Sequence, residues 1–169
     1  LIRVFDLKNI GRSAGIFDPD KLLALNADHI KAASPPQLVM PLKPFLDECG
    51  IQITDDDYLH NVIETLAPRS KTLEEMARAA LFFYLDDIIY EEKAARKFLK
   101  PGALEPLDML VAELERIDTF TEENLEKAFR AVMEKSGLKL GKIAQPVRVA
   151  LTGRTASPGI FEIVAIIGK

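Results

Sequence analysis

Capping side chains stand directly in front of a proline, or three residues ahead of an acid, again and again along this chain, and no other feature restricts its fold as much. Asp18-Pro19 reads as an N-cap and first helical residue, with Phe17 placed to staple onto Leu22 and with Leu22, Leu25 and Ile30 continuing a buried stripe. Ser34-Pro35 opens a second helix that Gly50 stops; Pro41 and Pro44 imply that this segment is broken or begins late. Thr54 opens a third, whose Leu59, Val62, Ile63 and Leu66 keep helical spacing until Pro68 closes it. Thr72 and Glu75 form a capping box for a fourth, which carries Leu73, Met76, Ala77, Ala80 and Leu81. A fifth runs from near Glu91 to before Pro101-Gly102, and a sixth gathers Leu107, Leu110, Val111, Leu114 and Ile117 on one face. Thr121 caps a seventh, with Phe120 and Leu125 in staple positions and Gly137 as its stop. This punctuation predicts an α-helical architecture.

The last segment is ambiguous on propensity. Val147, Val149 and Leu151 alternate as a strand would, and the run from Ile160 to Ile167 is rich in β-branched residues. Yet Leu140, Ile143, Ala144, Val147 and Leu151 also share one helical stripe, and Ser157-Pro158 resembles the earlier helix starts. A lone hairpin on a helical array would be marginally stable, so two further helices are favoured over a hairpin.

Charge is unevenly spread. The chain as a whole carries −4, but from Lys135 onward six basic residues face one acid, Glu162, so this end carries +5 and the remainder −9. An acidic body with a basic end punctuated by Pro and Gly points to an anionic partner. At 169 residues and 48% hydrophobic, the chain can bury a core as one larger or two smaller units. It opens at Leu1 inside an amphipathic pattern (Leu1, Ile2, Phe5, Leu7) and stops just after an apolar run, which reads as a piece of a longer protein.

Chemistry is scarce. A single cysteine, Cys49, permits no internal disulfide, and His29 and His60 stand apart without ligand partners at metal-site spacing. With no apolar run near the roughly 18 to 20 residues that span a bilayer, no membrane segment is expected and a reducing cytoplasm is the expected setting. There is no Gly-rich phosphate loop and no recognisable nucleophile-and-base set. The Asp55, Asp56, Asp57 cluster stands at a helix start, where capping and the macrodipole account for it. Asp86, Asp87, Glu91 and Glu92 could form a divalent site but read better as a solvated helix boundary.

Three stretches carry a resemblance: FDPDKLLALNADHI (17–30), APRSKTL (67–73) and, above all, GKIAQPVRVALTGRTASPGIFEIVAIIGK (141–169). Together they resemble the C-terminal part of the bacterial glutamyl-tRNA synthetases, over essentially the whole chain. The resemblance implies an all-α cage of two helical subdomains: 1–33 the end of the tRNA stem-contact region, 34–86 the first anticodon-binding subdomain and 87–169 the second. It implies no catalysis by this stretch, which lacks the family's HIGH and KMSKS-type motifs. ATP and Mg2+ would belong to the catalytic part, tRNA(Glu) would be the partner and the enzyme would be a monomer. The basic helix that follows the final Gly-Lys in the family is also missing. Where the family often has a Trp and an aromatic in the first stretch, this chain has Ala24 and His29.

Carried over by position, the resemblance gives Arg69 the inspection of the third anticodon base. Cytosine offers O2 and N3 as acceptors to a guanidinium, whereas guanine presents N1–H and N2–H donors that Arg cannot accept. The resemblance therefore implies a discriminating enzyme, one that rejects glutamine tRNA. From position alone, Arg69 reads as an exposed residue pairing with a helix C-terminus or a nearby acid. Arg148, Ser157, Pro158 and Ile160 would surround the first two anticodon bases, with Arg148 giving charge and Ile160 an apolar platform. Thr152 and Gly153 would shape the turn, and Ser157 is open between offering its hydroxyl to a base and capping a helix. Lys139, Lys142 and Arg154 fit phosphate contacts, or simply solubility, and Lys8, Arg12 and Ser13 resemble the stem-contact segment. The competing readings are an α-helical protein-interaction module whose tail 160–167 packs on a partner, and a synthetase paralogue with another acceptor.

Overall fold

The computed structural model describes residues 17–85 and 87–169. The readings on Lys8, Arg12, Ser13 and the first apolar residues, and on Asp86, lie outside the described residues.

Among the described residues the regular structure is all helical: α1 (Pro19–Ala32), α2 (Pro35–Glu48), α3 (Asp56–Leu66), a 3-10 turn (Ala67–Arg69), α4 (Leu73–Tyr84), α5 (Glu92–Phe98), a second 3-10 turn (Pro101–Ala103), α6 (Leu104–Glu115), α7 (Glu122–Ser136), α8 (Leu140–Thr152) and α9 (Ile160–Ile167). The stretch that could have been a hairpin is α8 and α9. Ile143, Ala144 and Val147 are buried along the helical stripe of α8, and Val149 from the alternating pattern is buried as well.

The capping signals act largely where the sequence puts them. Asp18 accepts from the N–H groups of Asp20 and Lys21, and Thr121 accepts from Asn124. Gly137 ends α7 in the left-handed region, at φ 69°. Three details differ. Asp55, not Thr54, caps α3: its carboxylate accepts from the N–H groups of Asp57 and Tyr58 at 2.9 and 3.1 Å. Thr72 accepts from Glu75 N–H at 3.1 Å, but the Glu75 carboxylate accepts from Lys71 N–H at 2.8 Å, one residue outside the expected box. Finally, α2 runs unbroken through Pro41 and Pro44, both on its exposed face, so the carbonyls that lose their N–H partners lie towards water.

Two cores organise the helices. The first takes Leu38, Leu42 and Leu46 of α2, Leu59, Val62, Ile63 and Leu66 of α3, and Met76, Ala77 and Ala80 of α4. The second takes Leu110 of α6, Leu125, Phe129 and Val132 of α7, and Ile143 and Val147 of α8. Helix α9 serves both: Ile163 enters the first, while Ile160 and Val164 enter the second. This explains why it is apolar nearly all round.

Helix α1 departs from its expected burial. Ala27 and Ile30 are buried, but Leu22 is 53% and Leu25 55% exposed, and Phe17 is also solvent-facing, so the staple and the first half of the stripe cover nothing among the described residues. The helix meets the body at the 3-10 turn that carries Arg69, and Asn26 Nδ2 donates to the Lys71 carbonyl at 2.5 Å. An amphipathic stripe is buried only where another element lies against it, and here only the C-terminal half of α1 has one.

Candidate nucleic-acid interface

Arg69 owes its position to the end of α3. Pro68 has no N–H to donate back into α3, the chain tightens into a 3-10 turn, and the Ser70 hydroxyl secures that turn by donating to the Leu66 carbonyl at 2.9 Å. The Arg69 side chain then folds back, donating from Nη1 to the Thr65 carbonyl at 2.9 Å, while Nη2 lies 3.7 Å from Glu162 Oε2 on α9. Both partners named by the simplest reading of Arg69, a helix C-terminus and an acid, are thus present. The guanidinium remains about half exposed, at 48%. It borders an open groove of about 410 Å³ lined by Asn61, Glu64, Thr65, Glu122 and Glu162. Carboxylates beside one guanidinium disfavour a phosphate, yet leave donors and acceptors for the edge of a base.

Arg148 stands one layer inward. Its Nη1 donates to the Ser157 hydroxyl, to the Ser157 carbonyl at 3.1 Å and to the Pro158 carbonyl at 2.7 Å, fastening the 153–159 loop to α8. Its Nε is buried and finds no partner among the described residues. Burial first, and the Arg69 guanidinium second, draw Arg148 below the usual arginine range. Two cations, one at the end of α3 and one on α8, are thus close enough to feel each other.

Ser157 does not cap a helix: its hydroxyl is turned to Arg148 and donates to the Pro158 carbonyl at 3.0 Å. The start signal at Ser157-Pro158 is displaced by two residues, to Ile160, because Glu162 reaches back to accept the Gly159 N–H at 3.0 Å and so sets the cap. Pro158 is buried, and Ile160 is 6% exposed within the second core.

The preceding turn is tied in by backbone contacts. Thr152 donates to the Arg148 carbonyl at 2.8 Å, and the Gly153 carbonyl accepts from Glu91 N–H at 2.9 Å. The Tyr90 hydroxyl reaches the Ala150 carbonyl at 3.0 Å. Gly153 has φ 71°, and a Cβ there would lie 2.2 Å from the Ile89 carbonyl oxygen, so both its conformation and its surroundings require glycine. Below the loop, Cys49, Leu66, Phe82, Ile88, Thr152 and Ser157 line a largely apolar cavity of about 400 Å³.

The basic residues do not form one patch. Arg154 is exposed beside Glu91, at 4.0 Å. Lys139 and Lys142 are exposed at the opposite end of α8, roughly 15 Å along the axis from Thr152 at 1.5 Å per residue, and form no ion pair among the described residues. Sequence reasoning brought Arg69, Arg148 and Ser157 to one region but passed over Glu162, counting it only as a lone acid. Its position, three residues after Gly159, was the available signal.

The described residues form a helical unit with two cores, and Arg69 and Arg148 stand where those cores meet α9. The chain belongs to the anticodon binding domain family, whose model matches residues 37–169. It is 56% identical over its whole length to the glutamate–tRNA ligase of Desulfosudis oleivorans and 48% identical to that of Syntrophobacter fumaroxidans. In each case it spans 36% of the relative's length. The fold is shared with a solved glutamate tRNA ligase from Elizabethkingia meningosepticum, at a TM-score of 0.85 and 22% identity, over 97% of this chain and 32% of that one.

Proposed function

We propose that this chain reads the anticodon of tRNA(Glu) as part of a discriminating glutamate–tRNA ligase, a cytoplasmic, monomeric enzyme that activates glutamate with ATP. No ATP-binding motif occurs in the chain, so ATP and Mg2+ fall to the catalytic part of the enzyme. The observation that carries the reading is Arg69: a guanidinium held through Nη1 by the Thr65 carbonyl, half exposed, at the rim of an open groove. Cytosine in the third anticodon position supplies O2 and N3 to its donors, and guanine supplies N–H groups that leave both sides unsatisfied.

The other roles follow exposure. Arg148 holds the 153–159 loop in shape and adds positive potential behind it, while the exposed rim of that loop, Arg154 to half-buried Ser157, faces the first two bases. Pro158 and Ile160 give that rim its packed backing. Lys139 and Lys142 meet phosphates and contribute attraction without sequence preference. The division into 34–86 and 87–169 is supported by the two cores, with α9 returning to the first. The protein-interaction reading needed a free apolar tail at 160–167, and Ile160, Ile163 and Val164 are buried within the fold.

The test is binding of anticodon stem-loops with C or G in the third position at two salt concentrations. The expected result is salt-dependent binding, preference for C, and loss of that preference in Arg69→Gln. Equal binding of both loops by the wild type would remove the discriminating role.

A further inference from the structure

We infer that Glu162 is a specificity-determining positioning residue, which sets the aim of Arg69 from the opposite subdomain; this rests on the anticodon reading above. The carboxylate has two attachments. Oε2 accepts the Gly159 N–H at 3.0 Å, which fixes the carboxylate to the start of α9, and the same oxygen lies 3.7 Å from Arg69 Nη2. Among the described residues, the hydrogen bond that anchors Arg69 runs from Nη1 to the Thr65 carbonyl. One hydrogen bond leaves a long side chain free to swivel about that point, and a second attachment on the other nitrogen defines the plane of the fork. Glu162 supplies that second attachment.

Because Gly159 closes the 153–159 loop, the third-base reader and the loop facing the other two bases are tied to one carboxylate.

The experiment compares Glu162→Gln with Glu162→Ala in the 169-residue chain, using the C and G stem-loops as probes. Gln keeps an oxygen for the Gly159 N–H but loses the charge that faces Arg69; Ala loses both. We expect Glu162→Gln to keep the wild-type helical signal and melting behaviour while its C-over-G ratio falls about two- to fivefold, the range for a partly exposed ion pair. Glu162→Ala should lose at least as much of the ratio and also melt earlier. In an Arg69→Met background, Glu162→Gln should leave the ratio unchanged, because the acid acts through Arg69. The wild-type ratio should also narrow with rising salt more than that of Glu162→Gln, since screening weakens the pair.

A full wild-type ratio in folded Glu162→Gln would overturn the inference, as would an equal effect of that substitution with and without Arg69. A wild type that does not distinguish C from G would fail before any variant is made, and would overturn the anticodon reading together with this one.

Discussion

Arg148 Nη1 lies 2.7 Å from the carbonyl oxygen of Pro158, so a cation on α8 holds the backbone that leads into α9. The same nitrogen donates to the Ser157 carbonyl and hydroxyl, and the contacts come from a half-buried side chain, so solvent competes with them poorly.

Replacing Arg148 with Met keeps most of the aliphatic stem and removes these charged hydrogen bonds. The expected cost is about 1.5 to 3 kcal/mol, read as a lower urea midpoint with unchanged slope. Binding to all stem-loops should weaken, measured by titration of each loop.

Gly153 and Gly137 test whether a glycine is needed for its φ or for its neighbours. Both are left-handed, at φ 71° and 69°, but a Cβ meets the Ile89 carbonyl at Gly153 and nothing within 4 Å at Gly137. Gly137→Ala should cost about 1 to 2 kcal/mol of conformational strain. Gly153→Ala should cost clearly more, because the 87–91 segment must also move. Thermal melting of the two variants side by side checks the difference.

Tyr84 should make the fold sensitive to alkali. Desolvation, then the nearby Tyr58 and Asp55, push its phenol up to about 12. Between its ordinary value of 10.0 and about 12, the unfolded chain gives up this proton while the folded chain keeps it, so stability is full below pH 10 and falls as pH rises through that window. Tyr84→Phe should flatten that decline. It also removes a buried hydroxyl with no partner among the described residues, so at neutral pH it should be neutral or stabilising by up to about 1 kcal/mol. Urea unfolding at neutral and alkaline pH, with tyrosinate absorbance as a second signal, measures both effects.

Ile163 is fully buried in the first core although it belongs to a helix that also builds the second. Ile163→Ala should cost about 2 to 5 kcal/mol and separate the unfolding of the two halves. Wild-type unfolding followed by α-helical signal and by tyrosine fluorescence should coincide, because α9 couples the cores. In the variant, the tyrosine probe should shift first, since Tyr58 and Tyr84 pack against the first core.

What could be read from the chain in advance followed the range of each interaction. Caps such as Asp18 and Thr121, and the stop at Gly137, act over three or four residues, and those helix ends are where the sequence places them. Errors arose where a distant element decides. Leu22 and Leu25 have the spacing of a buried stripe, but nothing described lies over them; Pro41 and Pro44 look like breaks, yet they sit on a face where lost hydrogen bonds cost little. Ser157-Pro158 carries a helix-start pattern, but Arg148 takes the hydroxyl and Glu162 the cap.

By itself, then, the sequence determined the helices, the basic character of its end and the arginine at 69, since periodicity, capping and net charge are local or additive properties. Only the tertiary structure decided that Arg148 faces inward, that Lys139 and Lys142 stand apart from the other cations, and that Arg69 is paired with Glu162 of α9. These are contacts between residues far apart in the chain. They depend on how α9 lies between two cores, and no short stretch of sequence encodes that placement.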